Sequence, residues 1–401
     1  MATSEQGALA KKRLGLLTDI LPLMVIAHFA HHLLTALPTP LLPMIRSDFN
    51  LDYTQAGMVV SAFSLAYGFG SLPSGWVTDY VGARIMITIG TCGVAVAGVL
   101  VGLSPEFMVL LAFMALMGLA AGGYHPAAPP IISASVPAEK RGRALGLHTI
   151  GGGASYFLAP ILAAWIASWG GWRGAFIALS AVTIAFGIFF YIKIGRTFIK
   201  KAAAAAPAQM VDLAEPGRRK RLFLVIGMST VTAAIVNSAL AFVPLYAVDH
   251  FGLSKTVAAS FLSLYYTAGF WVGPVAGYFA DRVGTVPLLM GVSLAVGPMV
   301  YLLAVVPGLP MYLLMIVLLG IITYTRMPIS ETYIVGRTSP HNRSTILGVY
   351  YFGGMEGAGV LTPIIGFLID HYSFQTAFMA SAGIALLVAV IGTISLWGRR
   401  N

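Results

Sequence analysis

The chain has 401 residues, of which 58% are hydrophobic and only 9% are charged. An ordinary soluble domain carries about 25% charged residues, so this composition excludes a soluble globular protein. The formal net charge of +10 raises the question of a nucleic-acid partner, and the positions of the basic residues decide it.

Apolar runs follow one another along the whole chain. A run of about 20 apolar residues is long enough to cross a hydrocarbon layer as a helix. The sequence therefore predicts an all-α membrane protein with twelve transmembrane helices. In chain order the predicted spans are 15–45, 54–77, 84–103, 107–135, 144–168, 172–194, 221–248, 256–280, 286–306, 310–336, 344–370 and 374–397.

The first span contains the string "VIAHFAHHLL". Because successive helical residues turn by about 100°, its three histidines fall on one face. We predict that His28 and His32 bind a small-molecule substrate and that His31 takes part in proton transfer. A divalent metal ion is an alternative ligand, since imidazoles commonly bind such ions.

A membrane di-iron enzyme is a rival of another class, because such enzymes carry the same H-x-x-H-H string. That chemistry needs several histidine boxes, and the other histidines are isolated in the sequence: His125, His148, His250, His341 and His371. The only cysteine is Cys92, which excludes an intrachain disulfide and a thiolate metal site. We therefore predict no bound metal and no cofactor.

Basic residues occupy alternate gaps between the spans. All but four of the 24 Lys and Arg residues lie in these gaps or in the two tails, the exceptions being Arg46, Arg173, Lys255 and Arg326. By the positive-inside rule, both ends of the chain are cytoplasmic. The basic residues thus indicate which loops face the cytoplasm, and they do not indicate a nucleic-acid partner. We expect a multi-pass protein of the cell (inner) membrane.

The second half of the chain repeats the first. The string "GWVTDYVG", beginning at Gly75, recurs as "GYFADRVG", beginning at Gly277, and at the same offset Arg141 matches Arg343. This predicts two six-helix bundles, 1–194 and 221–401, joined by a cytoplasmic linker at 195–220. Two halves with an even number of spans relate by a pseudo-two-fold axis along the membrane normal.

The loop "GWVTDYVGAR" resembles the signature loop of the major facilitator superfamily, and the resemblance covers essentially the whole chain. Within it, "AHFAHHLLTALPTPLLP", "GGYHPAAPPI" and "RALGLHTIGGGASYFLAPILAA" are similar to the fosmidomycin-resistance type of drug exporter. Ala127 stands where that branch carries an acidic residue. The resemblance implies a secondary transporter that works by alternating access around one central site.

In this fold, the aspartate of each signature loop, Asp79 or Asp281, contacts the positive N-terminal end of a neighbouring helix and a nearby arginine. A carboxylate gains about 0.3 to 2 kcal/mol at a helix N-terminus, enough to bias one arrangement of the halves. Gating residues are therefore expected in both halves: Asp79, Arg84, Asp281 and Arg282.

Arg326 lies in the tenth span, at membrane depth. A guanidinium stays protonated there and needs an anionic partner. The partner is a carboxylate or phosphonate of the transported compound, or Glu356, or Glu331. We predict that Arg326 anchors the compound and that three tyrosines complete the pocket with their rings and hydroxyls: Tyr124, Tyr266 and Tyr324.

Glu356 lies in the eleventh span, within "YYFGGMEGAG" and far from any loop. A lone carboxyl at this depth is able to load and release a proton, as coupling to a proton gradient requires. We predict this role for Glu356, with Glu331 as the second candidate. A fixed ion pair between Glu356 and Arg326 is the alternative.

The sequence thus predicts a transporter and not an enzyme. We expect a proton-coupled monomer in the lipid bilayer that moves a small organic compound, anionic or amphipathic, with export by antiport favoured. Uptake of an organic anion by proton symport is the runner-up, and divalent metal transport through the span 1 histidines is a further alternative. No Gly-rich nucleotide-binding loop occurs in the sequence.

Overall fold

The computed structural model describes residues 20–136, 141–194, 218–338 and 343–397, and nearly all of them are helical. No β-strand occurs in these four ranges. The fold class is therefore all-α, as the apolar runs predict.

Six helices form the first half. α1 spans Ile20–Asp48, α2 spans Tyr53–Val81, α3 spans Ala83–Gly102, and α4 comprises Phe107–Ala121 and Tyr124–Ser135. The helical segment Arg141–Lys193 is broken at Gly171, which has φ of 64°. Glycine adopts this left-handed conformation without strain, so the chain reverses there and forms α5 (141–170) and α6 (172–193).

Six more helices form the second half. They are α7 at Arg218–Phe251, α8 at Lys255–Ser260 and Leu262–Val283, α9 at Thr285–Val305, α10 at Leu309–Gly336, α11 at Arg343–His371 and α12 at Phe374–Leu396.

The count of twelve membrane-crossing helices is confirmed within the described ranges. Ten helical segments are long and apolar enough to cross a membrane, and one of these, the 50-residue Ala144–Lys193, contains both α5 and α6. The long part of α8 adds the twelfth: its 22 residues extend about 33 Å, although tyrosine and glycine make it less apolar.

The predicted linker at 195–220 is only partly described. α7 begins at Arg218, so the last three residues of that linker are helical, and the rest of it lies outside the described residues. The proposed domain boundaries, 1–194 and 221–401, stay a prediction.

The two halves meet along α2 and α11, α5 and α8, and α1 and α7. The closest approach is between α2 and α11, where Ser61 Oγ donates to Gly359 O at 2.6 Å. A Cβ placed on Gly57 would lie 2.9 Å from Pro363 Cα. The backbones of the two halves therefore touch directly, which only small residues permit.

These contacts lie towards one end of the bundle. We name it the closed end: it holds the turns between α1 and α2 (49–52), α7 and α8 (252–254), and α11 and α12 (372–373). At the opposite end, the open end, large side chains of α2 and α8 are exposed, including Trp76, Tyr80 and Tyr278. The α2–α11 contact continues as far as Phe69 and Phe352, whose ring centroids are 5.8 Å apart.

We expect the Gly57→Ala substitution to separate the two halves at the closed end. Alanine favours a helix by about 0.5–1 kcal/mol over glycine, so folding is not impaired, but its methyl group clashes with the α11 backbone. Cysteines replace the exposed residues Ser47 and Gln375 in a Cys92→Ser background, and each carries a spin label. Double electron-electron resonance should then show a longer distance between the two labels. The matched control is Gly291→Ala, where a Cβ meets nothing within 4 Å. Identical distance distributions for both variants would contradict the role of this contact.

Candidate functional site

Five histidines gather in the interior of the first half. His28, His31 and His32 come from α1, His125 from α4 and His148 from α5. The ring centroids lie 4.2 Å apart for His28 and His148, and 5.2 Å apart for His32 and His125. His125 and His148 are isolated in the sequence, but α4 and α5 pack against α1 and bring both rings to it.

Backbone carbonyls hold three of these rings. His28 Nδ1 donates to His148 O at 2.9 Å, His31 Nδ1 donates to Gly90 O at 3.0 Å, and His148 Nδ1 donates to Met24 O at 3.1 Å. A carbonyl only accepts hydrogen bonds, so Nδ1 carries the proton in each ring. The Nε2 atoms of His28 and His31 are buried and have no partner among the described residues.

Local irregularities make room for these rings. Gly90 lies in a π-helical turn, Ile89–Gly93, inside α3, and such turns leave carbonyls available to other groups. On α5, a Cβ at Gly152 would lie 2.6 Å from His28 Cε1. The glycines of "HTIGGG" therefore allow α5 to pack flat on the His28 ring.

One edge of the cluster is accessible. His28, His31 and His32 are buried, whereas His125 is exposed. Tyr124 is fully buried and stacks on His31 at 4.5 Å, so it lies behind the histidines instead of lining the cavity as predicted. We conclude that His125 forms the accessible edge of the cluster.

A row of aromatic rings connects this cluster to the second half. The centroid distances are 4.6 Å from His32 to Tyr156 on α5, 5.0 Å from Tyr156 to Tyr266 on α8, and 5.1 Å from Tyr266 to Tyr265. Tyr324 on α10 follows at 6.0 Å from Tyr265. The predicted residues Tyr266 and Tyr324 therefore lie together at the boundary between the halves.

Arg326 lies on α10, 4% exposed. Its Nη1 donates to Ser229 O at 2.8 Å and to the Tyr350 hydroxyl at 3.5 Å. Its Nε has no partner among the described residues. Ion pairs in the described part of the chain join other residues, Arg46 to Asp249 and Arg173 to Asp48, so no described carboxylate lies within 4 Å of Arg326.

Neither of the two acidic residues predicted as counter-ions forms an ion pair with Arg326. The Glu331 side chain is next to the Tyr351 hydroxyl, and Arg326 acts on it only as a more distant charge. The Glu356 carboxyl lies against the backbone of Gly68 and Phe69 on α2. Because Gly68 has no side chain, the carboxyl fits between α11 and α2, at the contact of the two halves.

The predicted gating arginines do not bridge the halves in this conformation. Arg84 donates from Nε and Nη2 to Tyr191 O, at 3.0 and 2.5 Å, and so ties α3 to α6 within the first half. Arg282 is exposed and lies 4.4 Å above the ring of Tyr278 on its own helix. The side chains of Asp79 and Asp281 lie outside the described part, so their gating role stays a prediction.

A polar latch across the halves is found at the closed end instead. Arg46 Nη1 pairs with Asp249 Oδ2 at 2.9 Å, and the Tyr53 hydroxyl donates to the same oxygen. Asp370, at the end of α11, accepts from Tyr53 N at 2.9 Å and Thr54 N at 2.8 Å. Its carboxylate thus caps α2, where the helix dipole stabilises a negative charge. The sequence signal for this latch was Arg46, one of the few basic residues on that side.

Comparison with known proteins agrees with this architecture. The family model of the Major Facilitator Superfamily matches residues 24–263 and 222–401. The chain belongs to this superfamily. It is therefore a multi-pass membrane transporter and not an enzyme.

Individual members of the superfamily are similar over most of their length. The chain is 26% identical to the multidrug resistance protein MdtG of Klebsiella pneumoniae, covering 83% of this chain and 82% of that protein. It is 25% identical to the cis,cis-muconate transport protein of Acinetobacter baylyi, covering 86% of each.

Among solved structures, a bacterial homolog of the human lysosomal transporter Spinster, in an inward-facing and occupied conformation, matches with a TM-score of 0.76. The match has 16% identity and covers 96% of this chain and 97% of that one. At this identity the likeness shows the fold alone.

We expect Asp249→Asn to loosen the closed end. The amide cannot form the ion pair with Arg46, and since both groups are partly exposed the loss is about 1 kcal/mol. A cysteine at Ser61, buried between α2 and α11 in a Cys92→Ser background, should then react several-fold faster with a maleimide. The matched control is Asp52→Asn: Asp52 accepts from Gln55 N at 2.7 Å within α2, and asparagine caps a helix as well as aspartate. Equal labelling rates in the two variants would argue against the latch.

Proposed function

We propose that this transporter carries a small organic compound with a negatively charged group, and that the group binds Arg326. The observation that supports the proposal is the buried Arg326 guanidinium with no described carboxylate within reach. A buried charge without a counter-ion is costly, and a substrate carboxylate, sulfonate or phosphonate offers two oxygens to its fork of donors.

The aromatic rings between the halves suit the organic part of such a compound. Tyr156 comes from the first half, and Tyr266 and Tyr324 from the second. Rings with a hydroxyl bind apolar surface and donate hydrogen bonds at their edges. A compound held by Arg326 and these rings contacts both halves, so its binding is sensitive to their relative position.

Orientation follows from the positive-inside rule. With the basic gaps and both termini in the cytoplasm, the open end faces the cytoplasm and the closed end faces outward. This arrangement accepts a compound from the cytoplasm, and we propose export as the direction. The similarity to a multidrug resistance protein supports it.

Uptake of an organic anion by proton symport is the second candidate. The similarity to a protein named for cis,cis-muconate transport favours it. Accumulation of the compound in right-side-out or in inverted vesicles, driven by an imposed pH gradient, separates export from uptake.

Coupling to protons is assigned to Glu356. Its carboxyl lies at the α2–α11 contact, so loading or releasing its proton changes the charge at the surface along which the halves separate. Glu331, next to Tyr351 in the second half, is the alternative carrier.

We expect Arg326→Ala to abolish binding of the anionic compound. Removing one partner of a buried charge pair costs about 2–5 kcal/mol, or roughly 30-fold to several thousand-fold in affinity. Arg326→Lys should retain part of the affinity, because the charge remains while the two-pronged geometry is lost. The measurement is a thermal-shift screen of small carboxylates, sulfonates and phosphonates on purified protein.

The matched control is Arg219→Ala, an exposed arginine at the start of α7. It should bind as the unaltered protein does. An anion that stabilises Arg326→Ala and the unaltered protein equally would contradict the proposed anchor.

We expect Glu356→Gln to separate binding from coupling. In proteoliposomes the variant should exchange labelled for unlabelled compound but fail to accumulate it against a gradient when a pH difference is imposed. Glu106→Gln, at the exposed start of α4, is the control and should accumulate normally. Normal accumulation by Glu356→Gln together with failure of Glu331→Gln would move the coupling role to Glu331.

A further inference from the structure

Three histidines on two helices bring ring nitrogens close together. One nitrogen each from His28, His32 and His125 lies within 4.8 Å of the other two. His28 and His32 are one helical turn apart on α1, and His125 lies opposite them on α4. We propose that these three side chains bind a divalent transition-metal ion of the zinc class.

The hydrogen bonding of His28 suits a metal ligand. Its Nδ1–H donates to His148 O at 2.9 Å, which leaves a lone pair on Nε2. That nitrogen is buried and has no partner among the described residues. Metal-ligating histidines commonly donate their other N–H to a carbonyl in this way, which fixes the ring. The His32 ring is oriented by a side chain on its own helix, since its Nδ1 lies 2.9 Å from Thr35 Oγ1.

The geometry requires a small closure around the ion. Zinc–nitrogen bonds are about 2.0–2.1 Å in tetrahedral sites, so the ligand nitrogens must come to within about 3.3 Å of one another. His125 is exposed, and rotation of its side chain is able to supply the movement. The same exposure leaves the site accessible to an ion.

The donor set determines the class of ion. Three neutral imidazoles favour zinc and its transition-metal neighbours over calcium or magnesium, which prefer oxygen ligands. Three protein ligands also leave a fourth position for water or for a carboxylate. The sequence predicted no bound metal because His125 is 93 residues from His32 in the chain.

Full-length protein tests the proposal directly. It is purified in detergent on a tag without histidine, stripped with a chelator and titrated with zinc chloride by calorimetry. We expect one ion per chain, and at least tenfold weaker binding in His125→Gln. The matched control is His371→Gln, an exposed histidine at the closed end, which should bind zinc as the unaltered protein does.

Cobalt(II) gives a second readout that does not depend on variants. A tetrahedral site rich in nitrogen gives cobalt intense visible absorption bands, which should appear on titration and disappear on adding zinc. Equal melting temperatures of metal-free His125→Gln and unaltered protein would show that the substitution leaves the fold intact.

Three outcomes would overturn the proposal. They are the absence of saturable zinc binding, binding that His125→Gln leaves unchanged, and cobalt spectra without tetrahedral bands. The result is independent of anion transport, because Arg326→Ala should bind zinc normally. Loss of anion binding and loss of the metal site are therefore distinguishable.

Discussion

The structure is organised around the cost of one buried positive charge. The Arg326 guanidinium lies inside the second half, bonded to a backbone carbonyl and a tyrosine hydroxyl but to no described carboxylate. In a medium of low dielectric these neutral partners leave the charge only partly stabilised, and an anion or water lowers its free energy further. A transporter that keeps this charge needs a route by which an anion or water reaches it, and separation of the two halves is the movement that opens such a route in this fold.

The contact that closes the other end is suited to repeated opening. Between α2 and α11, glycines bring backbones together, so few side-chain rotamers must be ordered when the surfaces meet. The polar latch of Arg46, Asp249 and Asp370 is partly exposed, where each pair contributes only about 0–1 kcal/mol. The closed end is therefore held by several weak interactions. A bound compound is able to shift the equilibrium between the closed and open conformations.

The sequence predicts the features of the fold that depend on a local pattern of residues. The length of apolar runs gave twelve helices, and the repeat from Gly75 to Gly277 gave two halves. Helical periodicity placed His28, His31 and His32 on one face, but it does not say which helix that face meets. The approach of His125 and His148, and the distance of Glu356 from Arg326, depend on how α4, α5, α10 and α11 pack. The polar latch was not predicted for the same reason. In the sequence, Asp249 and Asp370 are ordinary carboxylates at helix ends, and only the fold brings them to α1 and α2.

The two halves offer opposite chemistry to the space between them. The first half presents imidazole nitrogens with free lone pairs, which accept protons or bind metal ions, and the second presents a fixed positive charge. Tyr156 and Tyr266 meet where these surfaces adjoin. When the halves rock, each set of groups moves as part of its own bundle, so the distance between histidines and arginine changes while the internal geometry of each set is kept. A compound that engages both sets therefore fits one relative position of the halves better than others, and this difference in affinity is what couples binding to the change of conformation.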